Sequence, residues 1–358
     1  MRVWENPQAY PQFMSELRRH IPASTLSSLS ISEQLIAPYH LELPYQVWQE
    51  VSNFFQAWSR SVDVSSGVGF SSCLDFHWLP ESGELKLIEV NTNAAFMGLS
   101  LPLYRAFQLT PSYDEDVILQ LFLSECSPRH RDELALVDEQ PSQQKLFVEF
   151  LWYQNLFSKL FAEVRIKDRA EVSGQEGAIY NRCTDFLLEE EASRILRTYW
   201  QQWPQAISPN PAHYLRLADK NLLLAWQNSP ELAPYIPKTQ WLTPDNKDEL
   251  WQQRKALFFK PARSFGSKMT YKGASISRTH FDRLFELPAA SMIAQELCPP
   301  GQVETPRHGV LKFDLRFYFS KQGPLAAVAR LYQGQVTNTQ TPGGGFAPVT
   351  FSSSRRSF

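Results

Sequence analysis

The chain has 358 residues, 43% hydrophobic and 13% aromatic, enough for two or three subdomains around a sizeable interior. Its 35 Lys and Arg stand against 37 Asp and Glu, a formal charge of −2, and the basic residues are dispersed apart from RR near the C-terminus. That balance argues against a nucleic-acid or anionic-membrane binder. Four widely spaced cysteines, Cys73, Cys126, Cys183 and Cys298, form neither a disulfide scaffold nor a Cys-x-x-Cys motif. With no apolar leader and no spanning-length apolar run, a reduced, cytoplasmic setting is expected.

Residues 1–60 read as mainly helical. AYPQFMSELRRHI and YQVWQEVSNFFQAWSRSV carry apolar residues three and four apart. SSCLDFHWL and ELKLIEVNT follow, two apolar-rich runs separated by PESG, which predicts a β-hairpin. MGLSLPLYRAF reads as a loop and a short helix. From residue 133 the pattern alternates: strands at LALVDE, EVRIKD and GAIYNRCTDF, helices at SQQKLFVEFLWYQNLFSKLF and EEEASRILRTYWQQW. That order predicts a parallel α/β layer, ended by turn chemistry at AISPNP. DKNLLLAWQN starts a helix. Beyond a Pro-studded connector, short strands and Gly/Pro turns predict antiparallel sheet to the end of the chain.

Asp75 lies in the first arm of the hairpin, Glu89 and Asn91 near the end of the second. Glu89 and Asn91 are two apart on a strand and share a face, and an up-and-back hairpin can bring residues 14 and 16 apart together. Three hard oxygen ligands suit Mg²⁺; the plainer alternative is a hairpin with solvated acids. In FFKPARSFGSK, Lys260 ends an apolar strand and can reach phosphate oxygens. Ser264, Gly266 and Ser267 let backbone N–H groups approach closely. The loop is not a Walker A sequence, GxGxxG is absent, and Lys-Pro at a strand end is common. In IAQELCPPG, Gln295, Glu296 and Leu297 either present backbone groups to an adenine edge or form an ordinary strand end. Arg316 and Arg330, on neighbouring strands, can clamp a transferring phosphoryl group, or each make a surface salt bridge. Asn338 offers a polar ligand, and Gly343, Gly344 and Gly345 suit a loop closing over a small substrate.

Together these pieces resemble the ATP-grasp superfamily over roughly residues 70–350. They comprise the hairpin LDFHWLPESGELKLIEVNTN, the lysine loop LFFKP with SFGSK, the hinge IAQEL, and the arginine strands DLRFYF and AVARLYQGQVTN with GGG. LADKNLLLAW resembles the helix whose lysine, here Lys220, sits by the nucleotide. The hairpin stands first, whereas in most of the superfamily it stands last. That order is a circular permutation, similar to the eukaryotic-type glutathione synthetases. The chain departs from those in three places. Cys73 stands where they carry arginine, Ser264 where they carry an acidic metal ligand, and TPGGGFAPV where their lid is Gly-Val-Ala-rich.

The resemblance implies an α/β (α+β grasp) fold, a circularly permuted ATP-grasp. Its expected parts are an N-terminal helical segment (1–60), a metal-ligand hairpin (61–110), a Rossmann-like pre-grasp domain (111–215) and the grasp subdomains (216–358). It implies an ATP-dependent carboxylate–amine ligase working through an acyl-phosphate on an amino acid or small peptide, with ATP and Mg²⁺ as cofactors. Asp75, Glu89 and Asn91 would hold Mg²⁺. Lys220 and Lys260 would hold phosphates, Glu296 and Leu297 would lie at the adenine, and Arg316 and Arg330 would stabilise the phosphoryl oxygens. The glycines would form a lid, and His77 is read as structural. Small carboxylate and amine substrates are the expected partners, with no nucleic acid and no membrane, and a homodimer is left open. A module that binds nucleotide without turnover, and an unrelated α/β protein, remain the alternatives.

Overall fold

The computed structural model describes residues 1–262, 270–288, 291–334 and 338–352. In chain order its strands are β1 (Arg2–Glu5), β2 (Tyr39–Pro44), β3 (Cys73–Trp78), β4 (Leu85–Asn91), β5 (Glu133–Asp138), β6 (Glu163–Asp168), β7 (Ala178–Asn181), β8 (Ile207–Ser208), β9 (Thr239–Trp241), β10 (Leu257–Pro261), β11 (Tyr271–Lys272), β12 (Met292–Glu296), β13 (Gly301–Thr305), β14 (Gly309–Ser320), β15 (Gly323–Tyr332) and β16 (Gly345–Ser352). Among the described residues they form three sheets. The largest is ordered β1-β2-β16-β15-β14-β3-β4, with β13 also paired to β14; the others are β11-β10-β12-β9 and β6-β5-β7-β8. The fold is α/β, as expected.

The predicted hairpin is β3–β4, with Asp75 directly opposite Glu89 and Cys73 opposite Asn91. Residue alternation, reset on β4 by a bulge where Asp75 faces Glu89 but Phe76 faces Leu87, divides the central strands into two faces. Leu74, Phe76, Leu87, Leu315, Phe317, Ala327, Ala329 and Leu331 turn into one apolar core. The helix Tyr45–Ser61 covers that core, burying Val47, Val51, Phe54, Phe55 and Trp58. The spacing of four, three, one and three is the helical stripe read from the sequence. Each large side chain so buried contributes about 1.5–3 kcal/mol. The opposite face carries Asp75, Glu89, Asn91, Arg316 and Arg330.

Two readings are extended. The first 60 residues are mainly helical, and within them β1 and β2 also form an antiparallel pair, with β2 then lying parallel to β16. Strands this short leave little periodic signal, and the second partner of β2, on β16, lies more than 300 residues away. AISPNP is not only a turn, because Ile207 and Ser208 pair with Ile179 and Tyr180 as the fourth strand of the α/β layer. In that layer all three pairings are parallel, and the helices Phe147–Phe157 and Arg194–Gln202 supply two of its connections. No described helix is long and apolar enough to cross a membrane.

Candidate nucleotide and metal site

Asp75 is fully buried in the middle of the site face. Arg316 is its cross-strand neighbour on β14. Arg316 Nε donates to Asp75 Oδ1 at 2.8 Å and Nη2 to Oδ2 at 2.7 Å. Arg330 Nη2 donates to the same Oδ2 at 3.1 Å. The Cys73 thiol lies 3.3 Å from Oδ1 as a further donor. Burial pushes the Asp75 carboxyl up, but Arg316 and then Arg330 outweigh it and hold the group well below the usual carboxylate range. Asp75 thus has both oxygens held by guanidinium groups and anchors the two arginines.

Only 4% of Arg316 is exposed, and its remaining terminal nitrogen, Nη1, donates to the Ala95 carbonyl at 3.3 Å. Its donors are turned inward, to Asp75 and the Ala95 carbonyl. Arg330 differs. Its Nε donates to Asp314 Oδ1 at 2.6 Å, its Nη2 reaches Asp75, and among the described residues no acceptor holds Nη1. Asp314 was not singled out in the sequence. Its signal was present, because Asp-x-Arg on a strand puts Asp314 and Arg316 on one face, and Asp314 is the direct cross-strand partner of Arg330.

Glu89 and Asn91 are half-buried on the same face, beyond Asp75. Asn91 Oδ1 accepts the Asn93 N–H at 3.1 Å, which orients the amide and leaves oxygen lone-pair capacity. Among the described residues, no group of three or more His, Cys, Asp or Glu side chains is arranged to hold a metal. A pair of hard oxygen donors fits Mg²⁺ in the manner usual where phosphates and waters supply the other ligands.

The lysines approach from the second sheet and the connecting helices. Lys260 ends the apolar part of β10, and its Nζ donates to Gln295 Oε1 at 2.6 Å. Gln295 in turn donates to Thr239 Oγ1 at 3.0 Å. Burial, and then the charge of Lys220 nearby, lower the Lys260 ammonium to about 8, with Glu89 opposing. Lys220 is likewise lowered by burial, against Glu89 and Asp219. Lys220, Lys260 and Glu89 therefore share one electrostatic environment although they stand far apart in sequence. An anionic phosphate would restore the lysine charges. One consequence is testable: affinity of this face for a phosphate-bearing ligand should fall roughly tenfold as pH rises through about 8 and Lys260 loses its proton. In Lys260→Met that inflection should vanish; an unchanged inflection would assign it to another group.

The hinge expectation is altered. Glu296 N–H donates to the Lys238 carbonyl and Leu297 N–H to the Ala256 carbonyl, both at 2.8 Å. Neither amide is available to an adenine, because both are used to join β12 to its surroundings. Next along the chain, the Cys298 carbonyl accepts from His77 Nδ1 at 2.8 Å. A carbonyl only accepts, so Nδ1 carries the hydrogen, and His77 is structural, tying the hairpin to the hinge.

The triple glycine is also not an open flap. Gly344 and Gly345 are buried. A Cβ on Gly345, whose φ is +130°, would lie 2.4 Å from the Ala37 nitrogen, and one on Gly344 would lie 2.6 Å from the Thr339 carbonyl oxygen. These glycines permit close backbone approach where β16 begins. Asn338, exposed, accepts the Gln340 N–H at 3.1 Å. Ser264, Gly266 and Ser267 lie outside the described residues.

Sheets of this order, with the acid–amide hairpin, the strand-end lysine and the arginine strands converging, define an ATP-grasp-like fold. Two solved structures carry that statement. One is a protein of Methylobacillus flagellatus provisionally described as a gamma-glutamylcysteine synthetase: 13% identity, TM-score 0.51, covering 98% of this chain and 90% of that one. The other is a glutathione synthetase-like effector, GSS30, of Globodera pallida: 9% identity, TM-score 0.52, covering 98% of this chain and 100% of that one. No family model and no curated protein matches the chain.

Proposed function

We propose that the protein is an ATP-dependent carboxylate–amine ligase acting on an amino acid or small peptide. What carries the reading is one juxtaposition: Glu89 shares an electrostatic environment with Lys220 and Lys260, on the same face that presents Arg330. That is the charge pattern a Mg²⁺–triphosphate requires. Bound ATP would supply the γ-phosphoryl group that activates the carboxylate. Glu89 and Asn91 would hold Mg²⁺, Lys220 and Lys260 the phosphates. Arg330, its plane fixed by Asp75 and Asp314, would offer Nη1 to the oxygens of the transferring group. A substrate carboxylate oxygen bonds the γ-phosphorus and ADP leaves. The amine nitrogen then bonds the carbonyl carbon, phosphate leaves, and the amine gives up a proton. Such transfer asks the protein for position and charge compensation above all. The fold of the two solved neighbours supports the nucleotide part of this reading, while the substrate class rests on the resemblance.

The test is ADP release with ATP and Mg²⁺ across a library of amino acids and dipeptides. Acceptor-dependent release is expected in the wild type, falling at least about 100-fold in Glu89→Ala. Unchanged turnover in that variant would remove Glu89 from the metal site. If ATP with Mg²⁺ raises Tm but no acceptor yields ADP, the protein is a binding module.

A further inference from the structure

The loop that leaves the metal strand, Asn91 to Phe96, contains a backbone strain that the nucleotide reading does not use. Phe96 is completely buried and has φ +76°, ψ 8°. That is left-handed backbone, disfavoured for a bulky side chain and free for glycine. It opens the helix Met97–Ala106 with no side-chain cap to compensate. Its ring, however, is face-stacked on Phe346, centroids 3.8 Å apart and planes 5° apart. Phe13 lies 6.5 Å away in a near-parallel plane.

Both neighbours of this stack lead to the arginines. Phe346 is the direct cross-strand partner of Arg330. The carbonyl of Ala95, one residue before Phe96, accepts from Arg316 Nη1 at 3.3 Å and Tyr318 Oη at 2.8 Å. The φ of Phe96 is the rotation that sets the Ala95–Phe96 peptide plane relative to the helix. If it relaxed to an ordinary helical value, the Ala95 carbonyl would turn away from Arg316. Strain that persists because the surroundings fix it is often tied to a functional arrangement.

We infer that Phe96 is a positioning residue: stacked on Phe346, it holds the loop after Glu89 and Asn91 in register with the two arginine strands. The metal side and the cationic side of the site are thereby kept in fixed relation by one ring pair. The kinetic part of this inference rests on the ligase reading; the structural part does not.

The test uses the full chain and two variants, Phe346→Leu, which removes the stack at similar volume, and Phe96→Gly, which also relieves the strain. Amide hydrogen exchange is followed in the 93–97 segment, with the helix Arg194–Gln202, which packs in a separate core, as internal control, alongside kcat and the KM for ATP. In Phe346→Leu, protection of 93–97 is expected to fall tenfold or more while the control helix holds. kcat should fall about tenfold, with the KM for ATP within twofold. A purely packing role would lower Tm without that split. If Phe96→Gly does not fold, Phe346→Leu decides. A folded Phe346→Leu that keeps loop protection overturns the inference. A wild type with no ligase turnover overturns the proposed function alone, and the exchange data then decide the role of Phe96.

Discussion

Arg330→Lys is expected to lower kcat for acceptor-dependent ADP release by about 10²–10³ while leaving the KM for ATP within about twofold. The reason is geometric. Arg330 spans Asp314 and Asp75 with two different nitrogens, and in the proposed reading its third, which no acceptor among the described residues holds, is the one offered to substrate. A lysine brings one ammonium, which cannot occupy both carboxylates and still present a donor in a fixed plane. Steady-state kinetics with an identified acceptor checks this, and a variant within threefold of wild type would end the assignment. The same substitution at Arg316 should read out differently. That guanidinium faces inward, so its loss should appear first as a lower Tm and only secondarily as lost turnover.

Asp75→Asn should be the most destabilising single substitution on the site face. It leaves the buried Arg316 guanidinium without its ion-pair partner, and breaking one side of a buried pair costs about 3–5 kcal/mol. For a chain of 358 residues that corresponds to a fall in Tm of about 5 °C. The pH dependence has a definite sign. The folded carboxyl is held below its unfolded value, so its contribution is complete above the ordinary carboxylate range, near pH ~4, and is lost as pH falls toward the folded value. Wild-type stability should therefore decline below about pH 4 more steeply than that of Asp75→Asn, and denaturant melts at pH 3 and pH 7 would measure it. Parallel curves would mean that the carboxylate is not the group concerned.

What the sequence conveyed depended on range. The hairpin was legible because Leu74–Phe76 and Leu85–Leu87 alternate around a Pro/Gly turn, all within 20 residues. Glu89 with Asn91 was legible because a spacing of two fixes a shared face. The arginine strands were legible as strands, but the partner of each guanidinium was not. The Asp75–Arg316 bond spans 241 residues, and no local pattern reports which carboxylate a buried arginine will find. Asp75 was accordingly read as a metal ligand, with no local sign that two guanidinium groups hold its oxygens. The glycines were read as a flap because Gly-Gly-Gly is ambiguous between freedom and close approach, and only the position of Ala37 resolves it. The hinge N–H groups looked available because the competing carbonyls, Ala256 and Lys238, belong to other segments.

The distance between Asp75 and Arg316 along the chain also has a consequence during synthesis. At ordinary elongation rates the hairpin leaves the ribosome roughly ten to fifty seconds before β14 exists. Throughout that interval β3 has one open edge, and its central carboxylate lacks both counter-charges. The nascent hairpin must therefore stay hydrated there, and a chaperone that shields unpaired strand edges would find its binding site in the first third of this polypeptide. Arrival of β14 then closes the edge and neutralises the charge in the same event, so closing the large sheet and forming the arginine anchor become one step of folding.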